Sequence, residues 1–543
     1  MRRLLTVLAA AVPLAAAVCL PAGAAAHTGP GTPGAAAFRC ATTSVHAPPG
    51  ARIESGTARS RPGGTVHVDI TPTGPVDVPD VPAYCEVTYT LTHPGAGDHE
   101  KVTVWLPRTG WTGRLQTVGG SAYAAGDYGQ GLAAAIKAGY AAVTTDAGVG
   151  GYVDTDWALD AQGHVDQPLL EDFASRAEHD TAVVGKEVVG AVYGRPAAYA
   201  YFNGCSTGGR QGYMEAQRHP GDYDGILADA PAINWDEFEV ATLWPQVVMN
   251  NEHTYPSQCE FNAFTAAAVA ACDKLDGNPD GLIGDPGDCH WDPRRLVGTT
   301  IDCEGRPVTI TAADAVVVRR IWDGPRTASG TRLWPGLPVG ASFDLADTQT
   351  ADDGTVSGKP FPVPAQWVAD FVAKQPALDL TTLTYDRFTR LFRQSEAEYD
   401  QVIGTDDPDL GAFRDSGGKL LTWQGQADQY IPAQGTVAYR QQVDRLLGGT
   451  QRVDDFYRLF LAPGVSHCAG TPAPGPVPTD ALGALTDWVE HGKAPRTLPA
   501  ATTLPSGQAV TRDLCRYPEV SRYAGHGDPA ASTSYRCTTP PRH

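Results

Sequence analysis

Ala197-Ala198-Tyr199-Ala200-Tyr201-Phe202-Asn203-Gly204-Cys205-Ser206-Thr207-Gly208-Gly209 is the stretch that decides the fold. Its apolar opening, Ala197 to Phe202, reads as a buried strand, and Gly209 to Arg218 carries a helical pattern. Gly204-Cys205-Ser206-Thr207-Gly208 then occupies the sharp turn between them and matches G-x-S-x-G. Glycines at both ends allow the close backbone approach that such a turn needs, so the serine stands exposed at the sheet top. The start of a helix just beyond it favours a developing negative charge. A serine hydroxyl is nonetheless a weak nucleophile at neutral pH, and it needs a base within hydrogen-bond reach.

Outward from this turn the pattern alternates. Leu115 to Val118, Ala141 to Thr145, Gly225 to Ala228, Lys419 to Trp423 and Asp455 to Leu461 read as strands. Between them, Gly131 to Ala138, Asp180 to Val192, Thr436 to Leu446 and Ala481 to His491 read as helices. Three earlier runs, Thr65 to Ile70, Tyr84 to Leu91 and Glu100 to Leu106, have the β-branched alternation of strands. The alternation predicts an α/β fold with a mostly parallel central sheet. It stops near Trp235 and resumes after Gln401, and the stretch between is rich in proline and tryptophan. A rhythm that stops and resumes marks an insertion at a loop. The expected organisation is therefore a catalytic part at 27–234, a large inserted lid domain at 235–401, and a second catalytic part at 402–543. Trp235, Phe238 and Trp244 are lid aromatics that line a substrate pocket or pack as core.

A serine on a nucleophile elbow takes its acid and base from later strand ends, in the order serine, acid, histidine, as in α/β-hydrolases. Asp428 follows the run Leu420 to Trp423, and His467 follows Phe456 to Leu461. Both positions fit groups gathered at the carboxyl ends of parallel strands. Thr207 supplies the backbone N–H after the nucleophile, and Gly120 of Gly119-Gly120-Ser121 is the expected second donor of an oxyanion hole. A second constellation, Cys272-Asp273-Lys274-Leu275-Asp276-Gly277-Asn278-Pro279-Asp280-Gly281-Leu282, has the oxygen density that a hard calcium ion requires. Asp276, Asn278, Asp280 and Gly281 match the opening of an EF-hand loop, but Gly287 stands where a bidentate glutamate would be. The loop reads as a calcium site of another kind, with Asp273 adding a carboxylate.

Composition narrows the remaining possibilities. Hydrophobic residues at 42% and charged residues at 19% are globular values for a chain of 543 residues, and a net charge of −20 disfavours nucleic acid or an anionic membrane as partner. Arg2-Arg3, the apolar run Leu4 to Leu20 and Ala24-Ala25-Ala26 form an export signal with cleavage near Ala26, so residues 1–26 are expected to be removed and the product secreted. His27 to Gly34 reads as a flexible leader. No later segment is long and apolar enough to span a membrane. Without Cys19 of the signal, ten cysteines remain, enough for five disulfides whose pairing the sequence leaves open. A bond between Cys205 and Cys468 would set Ser206 beside His467.

These residues together resemble the tannase and feruloyl esterase family of secreted α/β-hydrolases. The likeness spans nearly the whole mature chain. It is carried by Cys205-Ser206, Asp428 and His467-Cys468, by the loop that opens Cys272-Asp273, and by Trp488-Val489-Glu490-His491-Gly492 and Arg512-Asp513-Leu514-Cys515-Arg516-Tyr517-Pro518 near the end. The resemblance implies disulfides between Cys205 and Cys468, Cys272 and Cys289, and Cys515 and Cys537, and Cys40 with Cys85 and Cys259 with Cys303 are the guesses that remain. It also implies structural calcium in the lid, held by Asp273, Asp276, Asp280 and the carbonyls of Asn278 and Leu282. The implied activity is hydrolysis of small phenolic esters or of phenolic esters on plant polysaccharide. Hydroxycinnamoyl esters such as ferulate lead, with galloyl esters and terephthalate monoesters as alternatives. A secreted calcium-dependent binding protein that has lost activity is the reading from another class. The chain departs from the family pattern at Thr145-Asp146-Ala147-Gly148-Val149, where a histidine commonly follows the glycine, and at Gly470-Thr471-Pro472. A family lid cysteine after Cys303 is also missing.

Overall fold

The computed structural model describes residues 38–69, 74–351, 353, 355–470 and 475–539. The export signal, the His27 to Gly34 leader, Ile70 and Thr471-Pro472 lie outside them. Nine long strands build the main sheet: β1 (Arg52–Arg61), β2 (Tyr84–Thr92), β3 (Glu100–Pro107), β4 (Arg114–Ser121), β5 (Ala141–Thr145), β6 (Tyr199–Cys205), β7 (Gly225–Asp229), β8 (Lys419–Gly425) and β9 (Tyr457–Ala462). Their order across the sheet is β1-β2-β3-β5-β4-β6-β7-β8-β9, and a short strand, Ala124–Gly126, folds back on β4. The six strands from β5 to β9 run parallel, while β1, β2, β3 and β5 pair antiparallel in turn.

Burial explains which strands the sequence declares. Every residue of β5 and β7 is buried, as is all of β8 after Lys419. Parallel strands covered on both faces are continuous apolar runs. By contrast β1, Arg-Ile-Glu-Ser-Gly-Thr-Ala-Arg-Ser-Arg, is mostly exposed and has no apolar alternation, and the sequence reading passes over it. The Thr65 run forms Gly64–Val68, paired with Val76–Val81 in a separate two-stranded ribbon.

The strand order places the chemistry. From β4 the chain steps to β5 on one side, then crosses to β6 on the other side of β4. The carboxyl ends of β4 and β6 therefore flank a topological switch point, where open α/β sheets bind ligands. Gly119-Gly120 ends β4 and Ser206 follows β6, so the two meet there.

Adjacent strands β7 and β8 are separated by the long insertion. It contains helices Trp235–Thr242, Trp244–Glu252, Gln258–Cys272, Ala312–Asp323 and Tyr385–Tyr399. The third begins with a capping box in which Ser257 and Glu260 satisfy each other's backbone N–H groups. Trp235, Phe238 and Trp244 belong to the core of this layer, together with Trp367 and Phe392, and Tyr123 enters it from the turn after β4 and Phe173 from the helical segment Asp172–Arg176. Exposures of 1, 4 and 6% bury all three, and Trp244 also lines a cavity with Trp334, Tyr430 and Pro432.

Five disulfides join Cys40 to Cys85, Cys205 to Cys468, Cys259 to Cys303, Cys272 to Cys289 and Cys515 to Cys537. They are the three pairs that the resemblance implies and the two that remained as guesses. Among the described residues no helix is long and apolar enough to cross a membrane.

Candidate active site

Ser206 sits between β6 and the helix Thr207–Arg218 with φ 66° and ψ −122°. An L-residue with a side chain is strained there, by about 1–3 kcal/mol. The surrounding backbone enforces it. Ser206 N–H donates to the Asp229 carbonyl at 3.0 Å, and the Ser206 carbonyl accepts from Arg210 at 3.0 Å and Ala232 at 3.1 Å. The glycines are sterically required: a Cβ on Gly204 would lie 2.6 Å from the Gly208 carbonyl group, and one on Gly119 would lie 2.7 Å from Gly208 Cα. Thr207 is the first helical residue, so its N–H has no carbonyl within the helix to bond. Its hydroxyl donates to the Ala122 carbonyl at 2.7 Å and ties the elbow to the loop after β4.

Asp428, on the loop after β8, is fully buried. One carboxylate oxygen accepts from the Tyr430 and Ile431 N–H groups at 3.0 and 2.8 Å, and the other faces His467 Nδ1 at 2.9 Å. Two backbone donors fix the carboxylate, and the carboxylate fixes the ring. With the proton on Nδ1 directed at Asp428, Nε2 is left as the base. The ring is held from its backbone too, where His467 N–H donates to Gln429 Oε1 at 3.1 Å. Its neighbour Cys468 is bonded to Cys205, so the flanking residues of Ser206 and His467 are covalently joined. No hydrogen bond joins Ser206 Oγ to His467 Nε2 among the described residues, and Nε2 lies 3.5 Å from Cys468 Sγ. Catalytic hydrogen bonds of this kind commonly tighten only when substrate binds.

The expectation for Gly120 needs correction. Its N–H donates to Gln211 Oε1 at 2.9 Å, in a buried network that continues from Gln211 Nε2 to Glu178 and to the Ala125 carbonyl. A donor already engaged in that way is not free for an oxyanion. Gly120 is glycine for space instead: a Cβ would fall 2.0 Å from the Ala124 carbonyl oxygen.

Sequence reasoning missed two aromatic residues beside the base. Tyr430 meets the His467 ring edge to face, with centroids 5.4 Å apart at 89°, and stacks on Phe361 at 5.2 Å and 21°. Tyr430 lies two residues after Asp428 and was within reach of the motif. Phe361 comes from the insertion, and only the fold brings it there.

Burial first, then the charges of Asp280 and Asp273, raise the Asp276 carboxyl to about 6, against the opposing Asn278 N–H. A carboxylate half withdrawn from water among two others is suited to an oxygen-binding cation. Asp273 accepts from Gly281 N–H at 2.9 Å, which curls the loop. Asp280 is partly neutralised already by Arg512, whose guanidinium approaches to 2.6 Å, and Asn278 Nδ2 bonds Asp280 and the Tyr535 hydroxyl. The oxygens are of the type a hard cation takes, and of the three carboxylates Asp280 is the one with an ion-pair partner among the described residues.

A serine elbow at the switch point of a mostly parallel sheet, followed by Asp428 and His467 on the next two strand-end loops of that sheet, is the plan of an α/β-hydrolase. The family model for tannase and feruloyl esterase matches residues 85–538. A probable feruloyl esterase of Arthroderma benhamiae is 45% identical over 504 residues, covering 92% of this chain and 93% of its own. Aspergillus oryzae tannase is 28% identical over 500 residues, covering 82% of this chain and 84% of its own. The solved structure of tannin acyl hydrolase from Aspergillus niger superposes with a TM-score of 0.81 at 28% identity, covering 90% of this chain and 92% of the other. The chain belongs to the tannase and feruloyl esterase family, and it is a carboxylic ester hydrolase.

Proposed function

We propose that the protein is a secreted serine esterase that cleaves phenolic esters, with hydroxycinnamoyl esters such as ferulates ahead of galloyl esters, through an acyl-enzyme on Ser206. The observation that carries this reading is the Asp428–His467 pair at 2.9 Å, tied through the Cys205–Cys468 bond to the elbow that holds Ser206. In the proposed reaction Ser206 Oγ attacks the ester carbonyl carbon while His467 Nε2 takes its proton. Asp428 holds the Nδ1 proton and stabilises the imidazolium, and Thr207 N–H faces the developing oxyanion. His467 returns the proton to the leaving alkoxide, which departs as an alcohol. Water then attacks the acyl-enzyme with His467 again as base, releasing the acid and restoring Ser206.

Two features support the phenolic acyl group. The 45% identical relative is named a probable feruloyl esterase. Phe361 and Tyr430 offer a half-buried aromatic platform at the base. Stacking on such a surface favours an aromatic acyl ring over an aliphatic one. Five disulfides suit an oxidising compartment and support export. Calcium, in this reading, is held by Asp273, Asp276, Asp280 and the carbonyls of Asn278 and Leu282. When bound it supplies a structural crosslink, and no chemical step passes through it. A chelator is expected to lower the melting temperature by several degrees, with recovery on adding calcium; an unchanged melt would remove calcium from the account.

The test of function is a side-by-side assay of methyl ferulate, methyl p-coumarate, methyl gallate and a terephthalate monoester. The proposal expects kcat/KM highest for the two hydroxycinnamates and none for Ser206→Ala. Preference for gallate would make the protein a tannase. Turnover of none of the four by a folded wild type would favour an inactive binding protein.

A further inference from the structure

The helix that starts after Ser206 ends at a second cluster of ligating side chains. His219 caps the carboxyl end of Thr207–Arg218, a helix of 12 residues, so it lies roughly 18 Å from the elbow. His179, from the helix Ala177–Tyr193, stacks its ring on that of His219 at 4.2 Å and 14°. Asp222, on the turn into β7, faces His179 Nδ1 at 2.6 Å. One ligand atom from each of the three lies within 4.8 Å of the other two. Behind them Glu215 is fully buried, and its carboxyl lies against that of Asp222, close enough to share a proton with it. The His219 ring makes its described contact by stacking, which leaves its nitrogens unengaged among the described residues.

We propose that His179, His219 and Asp222 bind a divalent transition-metal ion of the zinc type, with Glu215 closing the site from the protein interior. Two imidazoles and a carboxylate are borderline ligands that suit zinc, nickel or copper, whereas calcium selects oxygen ligands alone. Zinc bonds of about 2.0–2.1 Å require ligand atoms roughly 3.4 Å apart, so the parallel rings must swing open to aim both lone pairs at one ion. Their partial exposure gives them room, with the His179 side chain 28% accessible. Binding replaces the proton between His179 and Asp222, which leaves to solvent, and it requires Lys186 Nζ, 3.6 Å from Asp222, to turn outward. The ion would clamp two helices and the turn into β7 together, and would place positive charge at the carboxyl end of the nucleophile helix, where the helix dipole is negative.

The experiment titrates the purified enzyme, held in excess calcium, with zinc chloride by calorimetry and by thermal melts. One zinc per chain and a melting temperature raised by several degrees are expected. His219→Ala should weaken zinc binding by about 10–100-fold and abolish the rise, while its ester turnover without zinc matches wild type and shows that it folds. Asp276→Asn should keep the zinc effect, separating this site from the acidic loop. Equal zinc affinity in wild type and His219→Ala, or no zinc bound by wild type at about 1 mM, overturns the proposal.

Discussion

Ser206 holds a backbone conformation that only its surroundings enforce, and Asp428 spends two backbone hydrogen bonds on holding one carboxylate. Both arrangements concentrate order on the step from hydroxyl to imidazole. Asp428→Asn is therefore expected to lower kcat by about 10³–10⁴-fold with little change in KM, because the amide misorients the imidazole tautomer; steady-state kinetics on methyl ferulate check it. Tyr430→Ala should raise KM for ferulate while sparing turnover of a small acetate ester, since it removes ring contact and leaves the base in place. At this scale the sequence was legible where a residue's role follows from its position on a strand end. Ser206, Asp428 and His467 are of that kind. Gly120 was not, because Gln211, which occupies its N–H, projects from a helix whose facing side no periodicity specifies.

The element that joins the insertion to the sheet carries a group of acids that only Arg393, acting on Glu237, opposes with positive charge among the causes of their shifts. Asp236 and Glu237 open the helix Trp235–Thr242, and Asp400 and Asp406 approach them around Gly404. Burial, then Glu237 and Asp400, raise Asp236 to about 8. Burial, then Glu396 and Asp406, raise Glu237 to about 7, and burial with Asp400 raises Asp406 to about 6. Folded carboxyls with raised values bind protons more tightly than the unfolded chain. Their contribution is fully present below about pH 4, where the unfolded carboxyls are protonated too, and is lost as pH rises from there through about 6 to 8. The melting temperature should therefore fall across that window, and Asp236→Asn should flatten the slope; an equal slope in the variant would show that the cluster is not responsible. Element boundaries in the sheet could be read from apolar runs, but this cluster could not, since it is made by residues that only the closed insertion brings together.

Across the whole molecule, the Cys205–Cys468 bond closes a separation of 263 residues that includes the entire insertion. The chain-entropy model assigns such a closure roughly 5–6 kcal/mol as an upper figure. Its greater effect is positional, because the bond fixes the loops that carry Ser206 and His467 against each other. Replacing both cysteines by alanine should lower kcat while circular dichroism still reports the native fold, and full activity in that variant would reduce the bond to a stabiliser. The α/β alternation was legible on both sides of the insertion because parallel strands are buried on both faces. The arrangement of the insertion was not, because its helices are specified by contacts with one another and with Tyr123 and Phe173 far away in sequence. The central claim is that Ser206 carries the acyl group. Intact-mass and peptide analysis after treatment with a p-nitrophenyl phosphonate tests it most directly. The account predicts one adduct per chain, on the peptide containing Ser206, with activity lost in proportion. An adduct on another residue, or full activity in a protein already labelled at Ser206, would contradict it.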